Sequence, residues 1–286
     1  MAASNMKDVK RRIKSVESTM QITKAMQLVA SSKMRRAKER AEAVHPFFES
    51  VFQVMCDISG DHDFTSVFTK KKFKNSTLMI VIAGDRGLAG GYNSNVLKMA
   101  AAKAEEIKSS GGEVEIMAIG KKSVEYFEKR DYKLGGRYPQ IAEGIELTDV
   151  MEIAEDIIKR FKLGDFDAVE LVYTTFVSAM TQEPERIRIL PVENLKYIGE
   201  KHPSTIYDPS PEEVFDGMIP QYICGMLYSA IIDSYASEQA ARRTAMESAS
   251  DNAGEMIDKL SLLYNRARQA QITQEITEIS SASINN

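Results

Sequence analysis

Residues 77–108, TLMIVIAGDRGLAGGYNSNVLKMAAAKAEEIK, run from an apolar strand through a glycine-rich turn into a helix. A turn of this kind, between a strand and a helix, is where many proteins cradle a phosphate. The spacing here fits neither familiar template. A phosphate-binding loop places Lys and then Ser or Thr after its last glycine, whereas Gly91 is followed by Tyr92 and Asn93. A dinucleotide fingerprint needs G-x-G-x-x-G, whereas Gly84, Gly87, Gly90 and Gly91 are spaced G-x-x-G-x-x-G-G. The turn therefore reads as a connection whose glycines permit positive φ and which can present Asp85 and Arg86 to a partner.

Outward from this turn, the region 76–195 repeats the same grammar. Apolar runs at 77–83, 114–120, 168–178 and 186–192 read as strands, with helical stretches near 94–109, 121–130 and 148–163 between them. Strands alternating with helices predict a small Rossmann-like α/β domain with a largely parallel sheet. The stretch TTFVSAMTQEPERIRI, 174–189, reads as two adjacent strands joined by a loop. The proline-rich, polar stretch 196–210 reads as a linker.

The two ends of the chain follow another pattern. Residues 5–58 contain no glycine and one proline, Pro46, where a kink or short break is expected. Asn5 is the candidate cap, with Asp8 three residues on. Apolar side chains recur at Val9, Ile13, Val16 and Met20, then after a shift at Ile22, Met26 and Val29, and then at Met34, Ala37, Ala41, Val44, Phe48, Val51, Met55 and Ile58. The last run alternates intervals of three and four, which is a coiled-coil seam. At ~1.5 Å per residue such a helix would be roughly 80 Å long. Residues 211–286 behave alike, with a seam at Ala245, Ala249, Ala253, Met256, Leu260, Leu263 and Ala267 and a weak point at Gly254. The expected organisation is an N-terminal coiled-coil helix (1–58), the central α/β domain (76–195) and a C-terminal coiled-coil helix (211–286), the two helices pairing antiparallel.

Net charge is −4, but residues 1–40 hold eleven Lys or Arg against Asp8, Glu17 and Glu39, so that this segment carries +8 and the other 246 residues carry −12. The first forty residues should meet something acidic. Without interleaved aromatics and with the rest of the chain acidic, a protein partner suits them better than nucleic acid. The tail 269–286 carries only Glu275 and Glu278, so its tip could slide in an apolar collar without strong ion pairs. No apolar run approaches the ~20 residues of a membrane span. Cys56 and Cys224 have no metal-ligand spacing, and His45, His62 and His202 adjoin no cysteine, so neither metal binding nor nucleophilic catalysis has a constellation to stand on.

Four stretches, residues 6–40, 84–95, 237–257 and 263–279, together resemble the gamma-subunit family of the rotary F-type ATP synthases, in its bacterial form. The resemblance spans essentially the whole chain. It implies a central-stalk rotor that stands inside a hexamer of alternating alpha and beta subunits, with its base gripping the epsilon subunit and the membrane c-ring. Torque then passes between ring and hexamer in ion-gradient-driven ATP synthesis or in hydrolysis. It implies no catalytic residue, cofactor or metal in this chain, because ATP, ADP and Mg bind the alpha and beta subunits. A peripheral position on the cytoplasmic face of the bacterial plasma membrane is implied as well.

Contacts with the beta subunit are implied for Met26, Arg86, Lys98, Arg242, Arg268, Gln269, Thr273 and Glu278, and Lys24, Lys33, Arg35 and Arg36 extend that contact along the basic helix. Two departures stand out: Ala89 occupies a position where many members have cysteine, and the final SSASINN lacks the family's usual glycine- and alanine-rich ending. Two rival readings remain open on the residues alone. One is a nucleotide-using α/β enzyme with helical arms, and the other is a coiled-coil adaptor without a motor role.

Overall fold

The computed structural model describes residues 2–59, 64–70, 75–140, 143–193, 195 and 205–284. His62, His202 and the linker expected at 196–210, up to residue 204, lie outside the described residues. The chain forms two compact units, one of residues 1–31 with 242–286 and one of residues 32–241. The boundaries drawn on the sequence fall near element ends, at Ser59 and Pro211, but compactness groups the chain differently. The reason is that the later part of the first helix and the earlier part of the last one are packed into the core of the α/β fold.

In the larger unit, strands β1 (Ser76–Ile82), β2 (Glu113–Ile119), β3 (Leu134–Tyr138), β4 (Ala168–Phe176) and β5 (Gln182–Leu190) form one sheet in the order β3-β2-β1-β4-β5. β1 pairs parallel with β2 and β4, β2 pairs parallel with β3, and β4–β5 is an antiparallel hairpin. β1 is buried along its whole length, as befits a parallel strand covered on both faces. Its odd residues Met79 and Val81 meet Val96, Leu97, Ala100 and Ala104 of α2 (Tyr92–Ser109), together with Phe127 of α3 (Lys121–Glu128). Its even residues Leu78, Ile80 and Ile82 face α4 (Leu147–Leu163) and the long helices α1 (Ala2–Ser59) and α5 (Pro211–Ile284). Helix α4 is bounded as its sequence dictates, by a Glu146–Asp149 capping box and by a left-handed Gly164.

β3 was not expected, because LGGRY offers two glycines and no apolar run. As an edge strand it needs no buried face. Within this unit α1 and α5 run antiparallel: Phe48 meets Tyr228 at 6.4 Å between ring centroids, and four residues later Phe52 stacks on Tyr222 at 6.5 Å. The close approach requires Gly225, where a Cβ would lie 2.4 Å from the Phe48 ring. The break expected at Pro46 is absent. Helix α1 carries through it on an exposed face, where the carbonyl left without a donor can be hydrated, and the Ser50 hydroxyl donates to the Pro46 carbonyl at 2.8 Å. The helix also starts at Ala2, ahead of the cap expected at Asn5.

In the smaller unit the seam differs from the sequence expectation. Thr23 (8% exposed) and Ala30 (1%) are buried, whereas Ile22 (58%) and Val29 (55%) face outward. The register therefore needs no shift after Met20: it continues through Thr23, Gln27 and Ala30 at intervals of three and four. On α5, Met246, Ser250, Ala253 and Leu260 are buried while Met256 and Leu263 are exposed. Phase explains the reversal: Met246, Ser250, Ala253 and Leu260 keep the heptad intervals of four, three and seven, which carries Met256 and Leu263 to the outer face. Thr23 Oγ1 and Ser250 Oγ lie 2.6 Å apart across the pair, each also within reach of a carbonyl one turn back, at Met20 (3.0 Å) and Met246 (2.9 Å). Both hydroxyls are thus satisfied although buried. Gly254 does not interrupt α5.

Candidate functional site

In an open parallel sheet, ligands bind beyond the carboxyl ends of the strands where the strand order reverses. Here that point lies between β1 and β4. The chain fills it with its own groups. From α5, the Ser234 hydroxyl accepts the Thr174 N–H at 3.0 Å, the Ser237 hydroxyl donates to the Thr174 carbonyl at 3.3 Å, and the buried Glu238 carboxylate lies where a Cβ on Gly84 would come within 2.7 Å of it. Three N–H groups around the turn are also engaged. Gly84 N–H donates to Asn93 Oδ1 at 2.8 Å, Tyr92 N–H to the Ala89 carbonyl at 3.2 Å, and Lys121 N–H, at the start of α3, to Asp85 Oδ1 at 2.8 Å. The nearby cavity, lined by Gly91, Tyr92, Asn95, Thr174, Gln182, Pro184 and Ala241, is about 110 Å³. That is room for a few waters and well below the ~300 Å³ at which ligand pockets begin.

Asp85 does more than flank Arg86. Its Oδ1 also accepts the Gln140 N–H at 2.8 Å, so one carboxylate ties the turn after β1 to the start of α3 and to the segment after β3. The sequence marked Asp85 as a partner-facing group, and the structure gives it this internal role. Glu238 was not singled out at all. The only signal for it was its place in the long motif at 237–257.

Five residues before Glu238, the Asp233 carboxyl is pushed up to about 6 by burial and by the neighbouring Glu185 carboxylate. Folded protein thus holds this proton more tightly than unfolded chain, and the group's contribution to stability falls as pH rises from about 4 through about 6. Asp233→Asn is therefore expected to raise the melting temperature by a few degrees at pH 8 and to be neutral at pH 4. A difference that does not change with pH would show that the carboxyl titrates normally. Both cysteines are buried, and burial pushes each thiol up to about 11, with Asp57 adding to the effect at Cys56. Neither is a thiolate at neutral pH.

The residues expected at a partner surface divide between the units. In the smaller one, Lys24, Arg268, Gln269, Thr273 and Glu278 are exposed and Met26 is half-buried, while Arg242 is buried. In the larger one, Arg35, Arg36, Arg86 and Lys98 are exposed; Arg35 pairs with Glu39 one turn on at 3.7 Å, and Lys33 pairs with Glu143. The expectation missed a set of apolar residues on the smaller unit: Ile22, Leu28 and Val29 on α1, and Met256, Leu262, Leu263, Ile272, Ile276 and Ile279 on α5, all exposed. A contiguous stretch of helix with this much exposed apolar surface marks an interaction site. Residues 5–283 match the family described as ATP synthase. Over 283 residues the chain is 82% identical to the ATP synthase gamma chain of Ruminococcus albus, covering 99% of each.

The chain belongs to the ATP synthase gamma-chain family. It is also 40% identical, over 299 residues and 97% of each chain, to a gamma chain described as sodium ion specific from Acetobacterium woodii. Among solved structures it resembles the central stalk and c-ring of the Tetrahymena thermophila mitochondrial ATP synthase, with a TM-score of 0.64 and 27% identity, over 80% of this chain and 99% of that one. A gamma chain is a subunit of an enzyme complex. Among the described residues no helix is long and apolar enough to cross a membrane, and no group of three or more His, Cys, Asp or Glu could hold a metal ion.

Proposed function

We propose that this chain is the rotor of a bacterial ATP synthase, turning within a hexamer of alpha and beta subunits and gripped at its base by the epsilon subunit and the membrane c-ring. The observation that carries this reading is the smaller unit's outer face, where apolar side chains stand exposed on both helices of a coiled coil whose seam is already filled. Such a face needs an apolar surround. Contact without strong ion pairs lets the helices turn against it, and the exposed α5 positions beyond Arg268 offer only Glu275 and Glu278 as charges. Rotation of the shaft then biases each neighbouring catalytic site through its conformations in turn. Lys24, Met26, Lys33, Arg35, Arg36, Arg86, Lys98, Arg242, Arg268, Gln269, Thr273 and Glu278 form the proposed beta-facing set. ATP, ADP and Mg act on the other subunits, this chain holds no catalytic group or cofactor, and the complex sits on the cytoplasmic face of the membrane.

The test is reconstitution with the alpha and beta subunits of the same source. A stable complex whose ATPase activity greatly exceeds that of the subunits without this chain supports the rotor. A chain that binds ATP alone and joins nothing would return the enzyme reading. Within the reconstituted, membrane-coupled complex, reversing charge at Arg35 and Arg36 (Arg35→Glu with Arg36→Glu) is expected to leave assembly intact and to lower ions pumped per ATP several-fold. Pumping at the parent efficiency would remove the electrostatic part of the proposal.

A further inference from the structure

We infer that Leu88 is an apolar anchor, which the turn after β1 presents to an apolar pocket with an acidic group beside it on the subunits that surround the rotor. The inference rests on the rotor reading. Among the described residues four that are not glycine have positive φ: Asn75 (56°), Leu88 (62°), Asp131 (56°) and Gln140 (63°). Asparagine and aspartate tolerate this region because their short polar side chains bond locally, whereas for leucine the Cβ crowds the following carbonyl. Leu88 is the one apolar member of the set. Its side chain is 66% exposed, so burial within the chain does not offset the strain. Strain held at an exposed apolar residue points to a use outside the chain.

The turn that carries Leu88 is held from several sides. Asn93 accepts the Gly84 N–H and donates from Nδ2 to the Arg86 carbonyl at 3.1 Å, so a single side chain just beyond the loop pins its first residues. Asp85 fixes the turn to two further segments, Gly84 lies against Glu238, and Ala89, directly after Leu88, is buried. The leucine is therefore ordered before any partner arrives, which spares the complex the entropy of immobilising a loop.

Its flanks are open. A Cβ placed on Gly87 or Gly90 would meet nothing within 4 Å, so bare backbone on either side lets a partner surface close over the leucine. Arg86, two residues earlier, is exposed and makes no ion pair among the described residues. An apolar pocket with a carboxylate at its rim would satisfy both side chains.

The test uses the full chain assembled with alpha and beta subunits. Leu88→Asn is expected to keep or slightly raise the melting temperature of the free chain, since asparagine suits the left-handed backbone, and to speed dissociation of the assembled complex roughly tenfold or more. Leu88→Met, which keeps apolar bulk, is expected to dissociate at about the parent rate. Stability and retention moving in opposite directions is the signature of an anchor. Equal dissociation for Leu88→Asn and parent overturns the inference, and so does a Leu88→Asn chain that loses stability and retention together. If the parent chain itself fails to join the hexamer, the rotor reading falls first and the anchor with it.

Discussion

Replacing Gly120 with alanine is expected to destabilise the larger unit by about 4 kcal/mol or more. Gly120 joins β2 to α3 with φ 87° and ψ 143°, a combination that side-chain-bearing residues essentially never adopt. A Cβ there would lie 1.8 Å from the Ala83 carbonyl oxygen and 2.8 Å from its carbon. Relaxation is blocked, because the same backbone is pinned on every side. Gly120 N–H donates to the Tyr138 carbonyl at 2.9 Å, Ala83 N–H to Ile119 at 3.0 Å, and Lys122 N–H to Gly84 at 3.0 Å. To move Ala83 out of the way, the ends of β1, β2 and β3 must give up these bonds, at about 1 kcal/mol each, on top of a backbone cost of about 1–3 kcal/mol. The sum is about 4 kcal/mol or more, a fall in melting temperature of roughly 10 °C or more for a unit of this size. Gly87→Ala is the control. An added Cβ meets nothing there, and the change should be close to neutral. A Gly120→Ala chain melting with the parent would mean that the contact between the turn and α3 is looser than its hydrogen bonds indicate.

What the sequence displayed and what it concealed follow from the physics of each element. β1, β2 and β4 were legible because strands covered on both faces are dominated by apolar residues, as LMIVI at 78–82 and IMAI at 116–119 are, and β5 by its apolar end at Ile187, Ile189 and Leu190. β3 was not, because a five-residue edge strand with two glycines has little apolar surface to advertise. The pairing of the terminal helices was legible from their 3.5-residue repeat, but its phase in the smaller unit was not. Ranking by hydrophobicity put Ile22, Val29, Met256 and Leu263 inside, whereas the helices approach over Thr23, Ala30, Ser250 and Ala253. The two errors have one cause, that a partner-binding coiled coil needs an apolar outside as well as an apolar seam. The spacing of the glycine turn showed that it matches neither phosphate-binding template. What occupies the crevice instead could not be read, since Glu238 and Gly84 are 154 positions apart and nothing local couples them.

Phe68→Ala is expected to cost about 3–5 kcal/mol, as much as any single truncation in the core, although residues 64–70 have no regular secondary structure. Phe68 is fully buried. Its ring stacks on Phe161 of α4 at 6.0 Å, Phe161 meets Phe166 at 6.2 Å, and the Lys162 ammonium lies 5.3 Å from the centre of the Phe68 ring. The backbone is held as firmly as the ring: the Phe68 carbonyl accepts the Val192 N–H at 2.7 Å, and its N–H donates to the Ser66 hydroxyl at 3.1 Å, which in turn donates to Asp216 near the start of α5. Phe64 packs on Phe215 at 4.6 Å beside it. This short segment therefore plugs the core between α4, the end of β5 and α5. Alanine would leave a cavity that rigid neighbours cannot collapse. Val67, whose side chain points outward, supplies the comparison, and Val67→Ala should change stability by no more than about 0.5 kcal/mol. Urea unfolding separates two ways in which the cost could appear. A lower midpoint with an unchanged slope means that the plug is intact and merely weaker. A lower slope as well means that the segment has already opened in the folded protein, exposing Phe161 and the first turns of α5 before the sheet melts. The three backbone and hydroxyl bonds and the Phe64–Phe215 contact favour the first outcome, because they do not involve the Phe68 ring and survive its loss.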